Sequence, residues 1–465
     1  MSTKVKTNSG SRKNVKNKFH IPTKLQSSLS QDVVSPWWKH VIKSIESKDF
    51  DSILKILRAI DKSKGILYIP HPFIENIDTF PIKNIRQGMC NFIFFSDSSG
   101  NHQWILCQST SFVDALFSKK CSGKHKYSVD DSIMINPLKS ILKKETKSDP
   151  RKQKNKKAKL DGYLLDQLRP YHHFYDQLKW LVHLNTKRPI ISDYSFFVPS
   201  ELLKKSETTK NHSNTFSLFP LVIASAEDDS YSKKMERLVY TDSLQNSFNN
   251  IITRKLKNVI NLSKRIQSRK RELHLWFGIS GQKRIWIEQE DFLPILVHNL
   301  EPWFDKFTIY VDGFTRYEDC NFMPVEGSKL NPVLQDIEVF NSIQCKLSNF
   351  LNVSIVNLIG QTYRKKIQYC KRVDFFIANA GAGQIVPHRF CRKSGILHSN
   401  QKHCIFRTGI NNKTVKLVDR ILVKDIGNIF DDAEKPSQDV RPGFISYSIE
   451  PEVVASMTKK MLKLK

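Results

Sequence analysis

The alternation of apolar and polar positions changes character along the chain. The first 30 residues are rich in Lys, Asn, Ser and Thr and offer almost nothing to bury, which predicts a disordered tail. Apolar periodicity starts at Trp37-Trp38 and continues through Ile42, Ile45, Ile53, Leu54 and Leu57 at helical spacing. Short β-type runs follow, Gly65-Ile66-Leu67-Tyr68-Ile69 and Asn91-Phe92-Ile93-Phe94-Phe95. The second continues through Asp97-Ser98-Ser99-Gly100-Asn101 into Trp104-Ile105-Leu106, the pattern of a hairpin. A helical pattern then runs from Gly162 to about Leu184, strand-type runs stand at Pro189-Ile190-Ile191 and Phe196-Phe197-Val198, and Phe216 to Ala226 has the look of a buried strand. Between Ile251 and Ile266, the side chains of Ile252, Leu256, Val259, Ile260 and Ile266 share one face of a helix whose other faces are basic. Such a helix is either a solvated connector or a surface for anionic lipid or nucleic acid.

From Leu273 onward the pattern is the most regular. Apolar runs at Leu273–Ile279, Phe307–Val311, Ser354–Ile359, Val373–Ile377 and Gly395–His398 alternate with helical patterns at about 288–304, 332–351 and 362–371 and from Gln384. That alternation predicts an α/β fold with a doubly wound parallel sheet, in which ligands sit at the carboxyl ends of strands. The implied organisation is a tail at 1–30, an N-terminal domain at 31–250 with a basic loop at 142–159, a connector helix at 251–271, a C-terminal domain at 272–445 and a terminal helix at 446–465.

Charge changes this picture less than its total suggests. Lys and Arg number 74 against 45 Asp and Glu, a net +29. Four segments, 1–30, 142–159, 253–271 and 456–465, hold 26 of those charges, leaving the remainder nearly neutral. A folded nucleic-acid-binding face is therefore disfavoured, and the distribution suits a cytoplasmic protein attracted peripherally to an anionic membrane surface. A polar start without an apolar core argues against a secretory signal, although a transit peptide shares its basic, Ser-rich character. The longest apolar stretch, Ser217 to Ala226, is about half the length of a membrane span. Eight cysteines scattered without a C-x-x-C pair read as reduced thiols. Cys391, His398, His403 and Cys404 match no standard zinc spacing, so no metal is expected.

Two loops carry candidate chemistry. Asn379-Ala380-Gly381-Ala382-Gly383 joins a strand to a helix, where glycines let backbone N–H groups approach a phosphate; it is equally the sequence of a plain tight turn. Gly278, Ser280, Gln282, Lys283 and Arg284 lie in the other loop and would supply donors and positive charge to a diphosphate. In the first half, Pro170 opens a helix on which His172 and Asp176 are four residues apart. A carboxylate so placed can orient an imidazole as a general base, and the same spacing also describes an ordinary surface pair.

Three segments in this order resemble glycosyltransferase family 61. They are Tyr171-His172-His173-Phe174-Tyr175-Asp176-Gln177-Leu178-Lys179-Trp180-Leu181, Gly281-Gln282-Lys283-Arg284-Ile285-Trp286-Ile287-Glu288-Gln289-Glu290 and Ala380-Gly381-Ala382-Gly383-Gln384, and the likeness spans roughly residues 160–400. His173 stands in place of that family's Trp, Lys179 in place of its Pro, and Ser399-Asn400 where it has an acidic residue. The resemblance implies a GT-B-like fold of two Rossmann-like domains facing a cleft. It further implies an inverting transferase of polysaccharide biosynthesis that moves a sugar from a nucleotide-sugar donor to a glycan or lipid-linked saccharide. Under it, His172 and Asp176 are catalytic, while Gly278, Ser280, Gln282, Lys283, Arg284, Asn379, Gly381, Ala382, Gly383 and Gln384 bind the donor. No cofactor or metal is implied, since basic side chains and a helix N-terminus can offset leaving-group charge. The sole D-x-D, Asp49-Phe50-Asp51, falls in a predicted helix, a poor metal motif. Two alternatives stand beside this reading: a nucleic-acid-binding protein that uses the basic segments, and a non-catalytic α/β interaction protein, favoured by Ser399-Asn400.

Overall fold

The computed structural model of the 465-residue chain describes residues 19, 21–25, 29, 34–47, 49–62, 66–87, 90–109, 111–125, 130–145, 162–164, 170, 173–184, 188, 190–191, 206–207, 215–217, 272–317, 332–403, 414–427, 429 and 442–464. The chain divides into two compact units, Met1–Leu164 with Thr209–Leu221, and Leu165–Thr208 with Val222–Lys465.

In the first unit, the helical stretch after Trp37 is two helices, α1 (Pro36–Glu46) and α2 (Phe50–Asp61). Pro36 starts α1, where its missing N–H costs no hydrogen bond. Asp49 separates the two, because its carboxylate accepts the Ser52 N–H at 3.1 Å and the Ser52 hydroxyl at 2.7 Å, which caps α2. The D-x-D motif thus begins at a helix cap.

Six strands follow, β1 (Ile69–Pro70), β2 (Asp78–Gln87), β3 (Cys90–Ser96), β4 (Gln103–Gln108), β5 (Ala115–Ser118) and β6 (Ser122–Lys124), and they form an antiparallel meander in chain order. The predicted hairpin is β3–β4, with Phe95 opposite Trp104. Connections of two to seven residues are too short for the crossover that parallel neighbours need. The first half of the chain, expected as a second Rossmann-like domain, therefore carries an antiparallel sheet here. Its strands β3, β4 and β5 are buried on both faces. Phe92, Phe94, Ile105 and Phe117 pack with Met134, Ile135, Leu138 and Ile141 of α3 (Asp131–Glu145). On the other face Phe95 stacks on Trp104 at 4.1 Å and Trp38 meets Trp104 edge-on at 5.3 Å.

Three expectations change in this unit. Phe19, Ile21 and Leu25, assigned by composition to a tail, pack against the α3 core, and the Leu25 N–H is held by Asp131 at 2.9 Å. The segment 142–145, expected in a loop, is the last turn of α3. Gly162-Tyr163-Leu164, expected as helix, is strand β7 (Gly162–Leu164), paired in parallel with β10 (Thr215–Ser217). Its Tyr163 is buried and donates its hydroxyl to Asp61 at 2.8 Å, a long-range contact that local periodicity cannot register.

In the second unit, a π-helical turn at His173–Leu178 leads into α4 (Lys179–Leu184), and β8 (Ile190–Ile191) pairs in parallel with β9 (Ser206–Glu207). The main sheet is built from β11 (Glu272–Gly278), β12 (Lys306–Asp312), β13 (Val353–Asn357), β14 (Phe375–Asn379), β15 (Ser394–His398) and β16 (Val415–Leu417). All five strand pairs are parallel, and the spatial order is β13-β12-β11-β14-β15-β16. Helix α5 (Gln289–Leu300) precedes β12, α6 (Pro332–Lys346) precedes β13, and α7 (Tyr363–Cys370) precedes β14. Leu273, Leu275 and Phe277, with Phe307, Ile309 and Val311, face a core shared with α5, α6 and the last helix, α8 (Pro451–Leu462). The opposite face is covered too: Tyr310 meets Tyr369 of α7, and Phe376 stacks on His388 in the helical turn after β14. The wound parallel sheet expected for the C-terminal part is thus present. A ribbon of β17 (Lys424–Gly427) and β18 (Ser446–Ser448) lies against the chain just after β11, where the Tyr447 N–H donates to Ile285 O at 2.9 Å.

Among the described residues, no helix is long and apolar enough to cross a membrane. The strand-type segment 196–198, the rest of 216–226 and the basic helix at 251–271 lie outside the described residues.

Candidate functional site

The strand order reverses between β11 and β14, since the chain steps from β11 outward to β12 and β13 and later returns to the other side of β11. Loops leaving two such neighbours diverge, and the crevice at their carboxyl ends is the position where wound sheets take ligands. Both sequence-predicted loops fall there. Gly278 ends β11 and Asn379 ends β14, so Ser280–Arg284 and Gly381–Gln384 leave adjacent strands in the same direction.

Arg284 joins the two loops. Its Nη1 donates to Ala380 O at 3.2 Å, and the Asn379 amide donates to Arg284 O at 3.1 Å. The guanidinium lies against Gly381, where a Cβ would stand 2.9 Å from both terminal nitrogens. Gly381 has φ 135°, a conformation that side-chain-bearing residues rarely adopt, so the backbone there favours glycine. Beyond it, Ala382–Gln384 and Ile385–Phe390 form a continuous helical turn with its first N–H groups at the crevice edge.

The remaining loop residues divide by role. Ser280 is spent internally: its hydroxyl donates to Lys283 O at 2.8 Å, and the Gln289 amide brackets its backbone N–H and carbonyl at 3.1 and 3.0 Å. Gln384 is buried and pairs with His388 Nδ1 at 3.0 Å, so it serves the helical turn. Gln282, Lys283, Arg284, Gly381 and Gly383 are half-buried and Ala382 is exposed, and these can meet a ligand. Lys283 extends over the Phe444 ring, 5.7 Å from its centroid. A phosphate in the crevice would find two cationic side chains and the N-terminal N–H groups of the turn.

A buried polar clamp that sequence reasoning missed fixes the first loop. Asp336 of α6 accepts the Gly281 N–H at 2.7 Å with one carboxylate oxygen and the Phe314 N–H at 2.6 Å with the other. Gly281 packs so closely that a Cβ would come within 2.7 Å of the Gln335 carbonyl carbon. Burial raises the Asp336 carboxyl from 3.8 to about 6, against the two N–H bonds that favour its charge. Next to it, Lys366 of α7 is fully buried. Its Nζ lies 2.5 Å from Asp312 and donates to Gly313 O, Phe314 O and Thr315 Oγ1 at 2.7–3.1 Å. Burial pushes Asp312 up and Lys366 down, and their mutual attraction opposes both shifts. The available signal was Lys366 itself, a lysine on the same helical face as Tyr363, Ile367 and Cys370.

A second polar group lies under the other loop. Asn379 Nδ2 also donates to the Tyr447 hydroxyl at 3.0 Å, and that hydroxyl lies 2.7 Å from His398 Nδ1. Burial lowers His398 to about 3, and burial together with the Arg284 charge lowers His403 to about 4, so both are neutral at pH 7. Asn400, in the place of the expected acid, donates to Ile445 O at 2.8 Å and accepts the His403 N–H at 2.9 Å.

Of the expected catalytic pair, His172 lies outside the described residues, and only the backbone of Asp176 is described, within the π-helical turn. Two residues beside them, His173 and Phe174, are described with their side chains. His173 is buried and pushed down to about 3, and Phe174 packs edge-on to Tyr363 at 5.1 Å and Phe390 at 5.2 Å. Phe390 ends the helical turn that begins beyond Gly381. Among the described residues no cluster of three or more His, Cys, Asp or Glu is placed to hold a metal ion. Comparison with protein-family models, curated proteins and solved structures finds no match to this chain.

Proposed function

We propose that the chain is an inverting glycosyltransferase whose second unit holds the diphosphate of a nucleotide sugar between Gly278–Arg284 and Gly381–Gln384. One observation carries the reading: at the reversal point of a parallel sheet, Arg284 is laid over Gly381 so that both glycine-bearing loops and their positive charge converge. Lys283 and Arg284 would offset negative charge as the nucleoside diphosphate leaves. His172, oriented by Asp176, is the proposed base that takes the proton of an acceptor hydroxyl on a glycan or lipid-linked saccharide as that hydroxyl attacks the anomeric carbon from the opposite face. The packing of Phe174 on Phe390 supports this, because it ties the His172 segment to the turn that follows the second loop. Only the second unit carries the wound parallel sheet, so the GT-B-like part of the proposal is confined to the donor-binding half.

The test is thermal unfolding of the full chain with uridine, guanosine, cytidine and adenosine diphosphates. One of them at about 100 times its Kd should add about 2.7 kcal/mol of stability, read as a raised Tm. The double variant Lys283→Ala with Arg284→Ala should fold and lose that shift. No shift with any of the four, or an equal shift in the variant, would remove the donor assignment.

A further inference from the structure

One aromatic ring of the second unit stays in solvent beside the phosphate crevice. Among the described residues only two Phe, Tyr or Trp side chains are exposed, Tyr68 in the first unit and Phe444 in the second. A single exposed ring is ordinary by itself. What distinguishes Phe444, at the end of a short 3-10 turn at Pro442–Phe444, is its mount and its neighbours.

The three residues that follow it are hydrogen-bonded to both sides of the crevice. Asn400, two residues past β15, donates to Ile445 O at 2.8 Å. The Ile285 N–H, one residue past Arg284, donates to Ser446 Oγ at 3.3 Å, and the Tyr447 N–H donates to Ile285 O at 2.9 Å. Ile445, Ser446 and Tyr447 are all buried. The ring is therefore exposed on a fixed backbone, with its position set by the same loops that shape the crevice.

Space is open next to it, since a Cβ at Gly443 would meet no atom within 4 Å. Toward the crevice, Lys283 Nζ stands 5.7 Å from the ring centroid, near the outer limit of about 6 Å for a cation–π contact. A phosphate oxygen about 2.8 Å from that ammonium and a flat ring about 4.5 Å from the Phe444 centroid would be separated by roughly the reach of a ribose. A nucleoside diphosphate carries an anion and an aromatic base at such a spacing, whereas inorganic phosphate or a lipid headgroup has no ring to offer. Every nucleobase has a π face that can stack on an aromatic side chain.

We infer that Phe444 is the platform on which the base of a nucleotide stacks while its diphosphate meets Lys283 and Arg284. The inference rests on the donor-binding reading above and adds the nucleoside end of the ligand to it.

The experiment is isothermal titration of the full chain with uridine, guanosine, cytidine and adenosine diphosphates and with inorganic pyrophosphate. The wild type should bind at least one nucleoside diphosphate more tightly than pyrophosphate. Phe444→Ala should weaken that nucleoside diphosphate about tenfold, the loss of one stacked base, and leave pyrophosphate affinity and Tm unchanged. Phe444→Trp should restore the affinity, because it keeps a π face, and Phe444→Leu should behave like the alanine variant. Equal weakening of both kinds of ligand by Phe444→Ala would make the ring a support for Lys283, and unchanged nucleoside diphosphate affinity would leave it without a role in binding. Either result overturns the inference while the diphosphate reading stands, and so does a wild type that binds pyrophosphate as tightly as every nucleoside diphosphate. A wild type that binds none of the five would remove both.

Discussion

The two six-stranded sheets of this protein use polar side chains in opposite ways. In the antiparallel meander, sequence neighbours are spatial neighbours, and buried polar groups close local turns. Asp114 accepts the N–H groups of Ser109 and Ser111 at 2.7 and 2.8 Å, and Asp97 holds the His102 N–H at 2.9 Å across one hairpin. In the parallel sheet every strand is followed by a long return, so the loops at the carboxyl ends come from distant parts of the chain. There Asp336 reaches 55 residues back to Gly281, Lys366 reaches over 50 residues back to the end of β12, and Arg284 spans 96 residues to Ala380. Hairpins leave no reversal of strand order and so no crevice of this kind, whereas winding creates one and needs long-range bonds to set its shape.

That contrast predicts unequal costs of disruption. The largest belongs to Lys366→Met, which leaves Asp312 buried without its partner and should cost about 3–5 kcal/mol in urea unfolding. Adding Asp312→Leu should recover part of it, because an apolar pair needs no compensation. A single variant that unfolds at the wild-type midpoint would mean that the clamp contributes nothing.

Asp336 in the second unit and two acids of the first should also pull stability in opposite directions with pH. Asp336 binds its proton more tightly folded than unfolded, so its contribution is complete below about pH 4 and is lost as pH rises through about 6, a change of about 2–3 kcal/mol. Asp49 and Asp97 are shifted the other way. The Ser52 hydroxyl lowers Asp49, and hydrogen bonds from Ser99 and His102 outweigh burial at Asp97, so their contributions fade as pH falls. Urea midpoints measured between about pH 4 and 7 should therefore climb more steeply in Asp336→Asn than in the wild type. Matching slopes would remove Asp336 as the source. The smallest effect is local: Asp49→Ala deletes one helix cap and should lower the urea midpoint slightly, without changing any nucleoside diphosphate shift.

Much of the second unit was legible in the chain. Apolar runs and helical patterns gave β11 to β15 and α5 to α7 within a few residues, and the two glycine loops were placed at strand ends, because strand and helix periods are local properties. The antiparallel form of the first sheet was harder to read. Its β2 is half-buried along most of its length, and the helix at 131–145 has a Pro inside it. Site residues followed the same division. Lys283, Arg284 and Gly381 stood in readable loops, while Asp312, Asp336 and Lys366 look like ordinary polar residues until the fold buries them.

By itself, then, the sequence determined the alternation of strand and helix in the C-terminal part, the glycines at its turns and the confinement of 26 of 29 net charges to four segments. Tertiary structure alone decided that strand order reverses between β11 and β14, that Arg284 comes to rest on Gly381, and that a lysine and two aspartates become a buried clamp. The physical reason is that periodicity, turn chemistry and charge act over a few residues, whereas burial of a charge and the meeting of two loops depend on which distant segments the sheet sets side by side.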